Sequence, residues 1–396
     1  MANCDSATRD AFRCTLGIAQ DEARNRLGLR YAASRDNFWP IWATFCGQHG
    51  LDPYLPHVPN RLPFLCVFAQ RYRSGLLASR GHPVRSKQVQ EAVRSVATGF
   101  TRLGLIDPRL NCFGQLDVSL TTLYQGYSKQ DPPPRRVKPI PLPLLHYVYR
   151  SADLAGDPLS RATADMAYLG FFYLLRPGEY CLSPDSTPFR ICDVQLRIGN
   201  IVLNIMTCSF ATLMRATCAQ LEFTTQKNMI RGKVLAHGRS GHSLACPVVA
   251  LTRRLLHLRS HDATSLTPLY HVYTAHGEAN VTPALVTAAI RVAAASTPHG
   301  FNPSDVNARA LRAGGAMALL CARVDTNIIK MVGRWRSDAM FRYLHLQAFP
   351  LMRSLAPLML QGGSFTLPPG QDLPLNAAVL LGSVPEAATA IIDDFD

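Results

Sequence analysis

The sequence predicts a mainly α protein with a small antiparallel β-sheet, an α+β chain in which one helical unit precedes a second that carries the strands. Three observations predict it. Apolar residues recur at three- and four-residue spacing along most of the chain, as in Phe38, Trp39, Trp42 and Phe45, which gives one apolar helix face. The stretch Ile191–Ile205 alternates instead with the period of a strand, around Gly199-Asn200, a dipeptide suited to a tight hairpin turn. Lys129–Pro141 is dense in proline, which breaks helices and stiffens linkers, so the chain divides there.

The elements follow in order. Residues 1–20 read as a flexible arm. Residues 21–128 read as an all-helical domain, with helices over Leu62–Leu77, over Ser86–Leu103 with Ser86 as N-cap, and over Val118–Tyr127. The linker 129–141 carries Arg135, Arg136 and Lys138, which suits a segment crossing a phosphate backbone and equally suits one that is merely solvated. In the second domain, residues 142–350, helical periodicity runs to Leu175. Strands at Ala219–Thr225 and Lys233–Ala236 flank the loop Gln226–Gly232. Helices return at Val248–Ser260, Thr282–Ser296, Ala308–Cys321, Asp325–Val332 and Ser337–His345. Residues 351–396 form an acidic, apolar tail.

Composition narrows the function. At 396 residues, 47% hydrophobic and 17% charged, the chain can bury a large core, which excludes a disordered polyelectrolyte, a collagen and a disulfide miniprotein. The net charge of +14 is unevenly placed: five acidic residues and no Lys or Arg lie from Ser354 onward, which leaves +19 on residues 1–353. A basic body of this kind calls for a polyanionic partner, nucleic acid above all. No segment has the ~18 uncharged apolar residues of a membrane helix, so no membrane partner is expected. The first ten residues lack the apolar core of a secretory signal, and 11 scattered cysteines without a CxxC pair fit reduced thiols in an intracellular protein. Walker, GxGxxG, GxSxG and HExxH motifs are missing. His237 and His242 flank a glycine-containing loop, but nothing near them in sequence completes a metal shell. No cofactor and no metal are called for.

Four clusters in the second domain remain. In Tyr173–Tyr180 an apolar helix runs into Arg176, with Pro177-Gly178 ending the helix and Glu179 close enough to orient a buried guanidinium; alone, this is a common helix stop. In Phe223–Gly232, Lys227 sits at a hairpin tip, either as solvated edge protection or as a mobile proton donor. In Ala308–Ala316, Arg309 and Arg312 share one helix face without an acidic neighbour, an arrangement a phosphate would bridge, although a plain surface helix would also show it. Gly314-Gly315 in the same helix costs about 1 kcal/mol per glycine relative to alanine, which close helix packing would offset. In Gly333–His345, Trp335 offers an indole N–H, Ser337 reads as an N-cap and Tyr343 lies about two turns into the helix that follows.

Taken in order, these clusters resemble the tyrosine recombinase (phage integrase) family, with its Arg…Lys…His-x-x-Arg…His or Trp…Tyr signature. Arg176 matches the first arginine, Lys227 the hairpin lysine, Arg312 the second arginine, Trp335 the His/Trp position and Tyr343 the nucleophile. Where the family usually has histidine, three residues before the second arginine, this chain has Arg309, which can clamp a phosphate oxygen but cannot accept a proton near neutral pH. The motifs are closer in style to recombinases of eukaryotic mobile elements than to bacterial ones. The resemblance is strong over roughly residues 140–345.

The resemblance implies a core-binding domain at residues 21–128 and a catalytic domain at 142–350 that together clamp double-stranded DNA. Tyr343 would displace a 5′-hydroxyl and leave a covalent 3′-phosphotyrosine; Arg176, Arg309 and Arg312 would hold the non-bridging oxygens, with the Trp335 N–H, and Lys227 would protonate the leaving oxygen. It further implies no cofactor, a homo-oligomer (a tetramer) on DNA, a nuclear location, and a C-terminal segment that docks on a neighbouring subunit. Two rivals stay open: a DNA-binding remnant that has lost the chemistry, which Arg309 favours, and a type IB topoisomerase-like relaxing enzyme.

Overall fold

A computed structural model describes residues 38–102, 104–133, 138–184, 186–224, 232–242, 244–298 and 301–335, together with residues 11, 12, 14, 15 and 18. The tail 351–396, the helix expected at Ser337–His345, and the candidate residues Lys227 and Tyr343 lie outside the described residues, as does most of the expected arm.

From Phe38 the described chain forms four helices in turn: α1 (Phe38–Gln48), α2 (Leu62–Arg73), α3 (Ser86–Arg102) and α4 (Val118–Gln130). Their apolar stripes meet. Trp42, Phe45, Phe68, Val89, Val93, Val96 and Phe100 are buried together with Leu120, Tyr124 and Tyr127. The Trp42 indole N–H donates to the Pro53 carbonyl at 2.7 Å, so the ring is buried without an orphaned donor. Asp117 caps α4 by accepting from the Ser119 amide at 2.8 Å. Ser86 does not act as the expected cap. It is the first residue of α3, and its hydroxyl donates instead to the Tyr124 carbonyl at 3.0 Å, which ties α3 to α4.

A second, larger core begins at Ile140. It is built on α5 (Leu142–Ala155), α6 (Pro158–Phe172), a single turn α7 (Pro177–Tyr180), β1 (Val194–Ile198), β2 (Ile201–Leu203), α8 (Phe210–Met214), β3 (Cys218–Phe223), β4 (Lys233–Gly238), α9 (Pro247–Arg259), β5 (His271–Thr274), β6 (Gly277–Asn280), α10 (Pro283–Ser296), α11 (Ala310–Cys321) and α12 (Thr326–Gly333). Helix α6 is central: Ala162–Phe171 are all buried, and α5, α9, α10 and α11 pack around it. It is apolar on every side because every side faces protein. Its one acidic residue in that stretch, Asp165, is bridged by Arg253 of α9, with Nε 3.0 Å from Oδ1.

The four-stranded sheet has the order β2-β1-β3-β4 and is antiparallel throughout. Ile198 pairs with Ile201, which leaves Gly199-Asn200 as a two-residue turn; Gly199 has φ +55°, which glycine adopts without a Cβ penalty. The three residues before β1, Ile191–Asp193, form a 3₁₀ turn rather than the strand expected from Ile191. A second sheet, the hairpin β5-β6, falls in a stretch read as a connection between helices. Of its strand residues only Val272 is buried, so it has no apolar alternation to read.

The linker's far end is fastened. The Lys138 amide donates to the Asp305 carbonyl at 3.1 Å, the Lys138 ammonium pairs with the Asp305 carboxylate at 3.0 Å, and the Ile140 amide donates to the Ala310 carbonyl at 3.3 Å. The chain therefore enters the second core along the start of α11.

Candidate active site

Helix α6 stops at Phe172 and not at Leu175 as the periodicity suggests. The Leu175 amide donates to the Gly170 carbonyl at 3.0 Å and the Leu174 amide to the Phe171 carbonyl at 3.4 Å, with Leu174 at φ +49°. This is a Schellman stop with leucine where glycine is usual. The left-handed backbone costs roughly 1–2 kcal/mol for a side chain with a Cβ. Burying the leucine contributes about 1.5–3 kcal/mol. Leu174 is fully buried against Ala316 of α11 and Ile329 of α12, so burial outweighs the strain.

The stop turns the chain so that Arg176 leads into α7. Pro177 starts that turn rather than ending a helix, and the Arg176 side chain is 31% exposed, not buried as expected. Glu179 holds it from two directions: one carboxylate oxygen accepts from the Arg176 amide at 2.8 Å, the other from its guanidinium at 3.0 Å.

Helix α11 carries Arg312, which is 3% exposed. The two glycines after it mark close approaches. A Cβ on Gly314 would lie 2.2 Å from the Ile140 carbonyl oxygen, and one on Gly315 would lie 2.1 Å from that of Phe171. The helix runs directly against the linker's end on one side and the end of α6 on the other, which the glycines alone permit. Arg309 sits at the N-cap of α11 and is exposed, so it does not share Arg312's buried surroundings.

Helix α12, capped at its start by Asp325, ends at Gly333. Arg334 follows at φ +57°, and the Trp335 amide donates back to the Lys330 carbonyl at 3.0 Å. The Trp335 ring folds over Gly333, where any Cβ would collide with it. Arg312 lies on that ring with its guanidinium carbon 4.4 Å from the centroid, and it also donates to the Gly333 carbonyl. Two predicted site residues, Arg312 and Trp335, are therefore in direct contact.

The third link is a residue to which the sequence reading gave no role. Arg334 is 3% exposed and donates to Glu179 at 2.8 Å and to the carbonyls of Tyr173 and Leu174, both at 3.3 Å. Its guanidinium carbon sits 3.9 Å over the Phe223 ring. Glu179 thus joins Arg176 on one side to Arg334 on the other. Burial pulls Arg334 down to about 10, against the opposing pull of Glu179, and it remains a cation at neutral pH. Lys233, at the start of β4, donates to the Met331 carbonyl at 2.6 Å; burial and then the neighbouring Arg334 lower its pKa. A sequence signal for Arg334 existed in the Gly-Arg-Trp-Arg run, but nothing local shows that this arginine points inward.

The described part of the site therefore joins Arg176 and Arg334 through one carboxylate, Glu179, with Arg312 and Lys233 bonded to the backbone carbonyls of Gly333 and Met331 just before Arg334. Such an excess of fixed cations, two of them desolvated, favours an anion with several oxygens. His237, beside it, is a packing residue: its Nε2 is 2.9 Å from the Phe172 carbonyl, its ring lies 4.6 Å from that of Tyr173, and burial lowers its pKa.

No family model matches the sequence, and no curated protein matches it. Solved structures do. The integrase of transposon Tn1549, in complex with transposon right end DNA, is 13% identical and matches 89% of this chain and 99% of its own with a TM-score of 0.50. The same integrase in complex with circular intermediate DNA is 14% identical over 86% and 97%, with a TM-score of 0.46. XerA recombinase is 12% identical over 88% and 97%, with a TM-score of 0.34. The first likeness establishes the fold: the chain has the mainly α, α+β architecture of tyrosine recombinases.

Proposed function

We propose that the protein is a site-specific DNA recombinase or integrase of a mobile element, acting through a covalent 3′-phosphotyrosine. The observation that carries the reading is the cation cluster itself: Arg312 buried against Trp335, and Arg176 held by Glu179, on a fold whose solved example is bound to DNA. In the proposed step the Tyr343 phenol gives its proton to water and its oxygen attacks the scissile phosphorus as the P–O5′ bond breaks. Arg176, Arg309 and Arg312 neutralise the non-bridging oxygens, Trp335 offers its N–H, and Lys227 gives a proton to the departing 5′-oxygen. Reversal with another 5′-hydroxyl rejoins the strand, so the bond energy is conserved. Residues 21–128 are proposed to grip the opposite face of the duplex as a core-binding domain. Assembly as a tetramer on DNA, action in the nucleus and docking of the C-terminal segment on a neighbouring subunit complete the proposal.

A nicked duplex that loses its short 5′-hydroxyl fragment on cleavage traps the covalent product. The wild-type protein should form an adduct, and Tyr343→Phe should form none while retaining DNA affinity. DNA binding without an adduct on a random-sequence library would instead support the second reading, a DNA-binding remnant, which the exposed Arg309 in place of histidine favours.

A further inference from the structure

We propose that Arg334 is a positioning residue for the phosphate clamp, coupling the segment that ends in Trp335 to Arg176 through the shared carboxylate of Glu179. The inference rests on the recombinase reading and adds a residue to its machinery. Arg334 and Glu179 lie 155 residues apart in sequence, yet their charges meet at 2.8 Å with the arginine almost fully buried. A desolvated pair of this kind costs several kcal/mol to bury, so it is weak evidence of stabilisation and better evidence of a fixed geometry.

What it fixes is on the page. Glu179 gives its second oxygen to the Arg176 guanidinium at 3.0 Å, and the oxygen that meets Arg334 also accepts from the Arg176 amide at 2.8 Å. Arg334 holds the carbonyls of Tyr173 and Leu174, the turn from which Arg176 departs, at 3.3 Å each. Its own left-handed backbone is the residue between Gly333, which Arg312 contacts, and Trp335, which Arg312 stacks upon. One guanidinium thus indexes both clamp arginines to each other. Only a planar fork with several donors can serve Glu179 and two carbonyls at once; an ammonium cannot reproduce those directions.

The test uses the full chain and the nicked substrate. Arg334→Lys keeps the charge and loses the fork. It should bind DNA with unchanged affinity and form adduct ~10²-fold more slowly, the loss typical of misplacing a catalytic group by about an ångström. A methylphosphonate at the scissile position lacks the charge that Arg176 neutralises, and it should recover at least ten-fold of that loss relative to wild type. General structural damage would not be recovered. If Arg334→Lys does not fold, Glu179→Gln takes its place with the same expected pair of results. If Arg334→Lys folds, the double variant should lose no more than the worse single one. Wild-type adduct rates in both variants, or a loss that the methylphosphonate leaves untouched, would overturn the assignment of Arg334 alone. A wild-type protein that forms no adduct on any DNA would overturn the recombinase reading and the proposal with it.

Discussion

Replacing Gly315 with alanine sets two effects of opposite sign against each other. In the middle of an exposed helix, glycine to alanine stabilises by about 1 kcal/mol, because alanine has less backbone freedom to lose. At Gly315 the added Cβ would lie 2.1 Å from the Phe171 carbonyl oxygen and 2.4 Å from the Leu174 Cδ2. The leucine carbon could rotate away; the backbone oxygen cannot. Ordinary contact would require α11 and the end of α6 to separate by about 1 Å, and overpacking of a tight core costs 1–3 kcal/mol, occasionally more. On the other side of α11, a Cβ on Gly314 would meet the Ile140 carbonyl at 2.2 Å, so the helix has no free direction in which to shift. The clash wins, and Gly315→Ala should be destabilising by up to about 2 kcal/mol net. Urea unfolding followed by circular dichroism measures it. Gly126→Ala is the internal control: Gly126 is exposed within α4, nothing lies within 4 Å of its Cβ position, and the same change should stabilise by about 0.5–1 kcal/mol. A Gly315→Ala protein as stable as Gly126→Ala would refute the close approach of α11 to α6.

Two further outcomes are expected. Arg309→His should accelerate adduct formation by up to ~10²-fold, the low end of what a placed proton acceptor contributes; since Arg309 is exposed, stability should change by less than ~0.5 kcal/mol. A large loss of activity would show that arginine is required at this position. His257 accepts the Tyr273 amide proton at its Nε2, 3.0 Å away, and burial followed by the nearby Arg254 cation lowers it from 6.5 to about 4. Its neutral form belongs to the fold, so the unfolded chain takes up the extra proton: stability is full above about pH 6.5 and falls as pH drops toward 4. His257→Gln, which keeps an acceptor that does not titrate, should flatten thermal melting over that window; an unchanged slope would refute the assignment.

The periodic parts of this fold were readable because their cause is local. A stripe such as Trp42 and Phe45 must be buried, and Gly199-Asn200 can make a two-residue turn wherever it occurs. The hairpin β5-β6 was not readable, since its His-Val-Tyr-Thr and Gly-Glu-Ala-Asn strands are held by backbone pairing and a single buried valine. At the site, the glycine pair in α11 announced close packing through its conflict with helix propensity, although not which backbones it admits. The sequence suggests a buried Arg176, because an apolar helix runs toward it, whereas the turn at Leu174 carries it out to a partly exposed position. Arg334 is illegible in the sequence for the reverse reason. A charged residue between glycine and tryptophan looks solvated until its partners, far away in sequence, are brought to it.

The fastening of the linker gives the protein a load path. Tension along the chain between the two cores arrives at Lys138 and Ile140, where two backbone hydrogen bonds and one ion pair hand it to Asp305 and Ala310. Ala310 is two residues from Arg312, on the same rigid rod, so a pull on the linker is a pull on that arginine's helix. The two backbone bonds follow one another in the same order along both segments, Lys138 to Asp305 and then Ile140 to Ala310. A strain on the linker thereby reaches the helix whose arginine lies on the Trp335 ring.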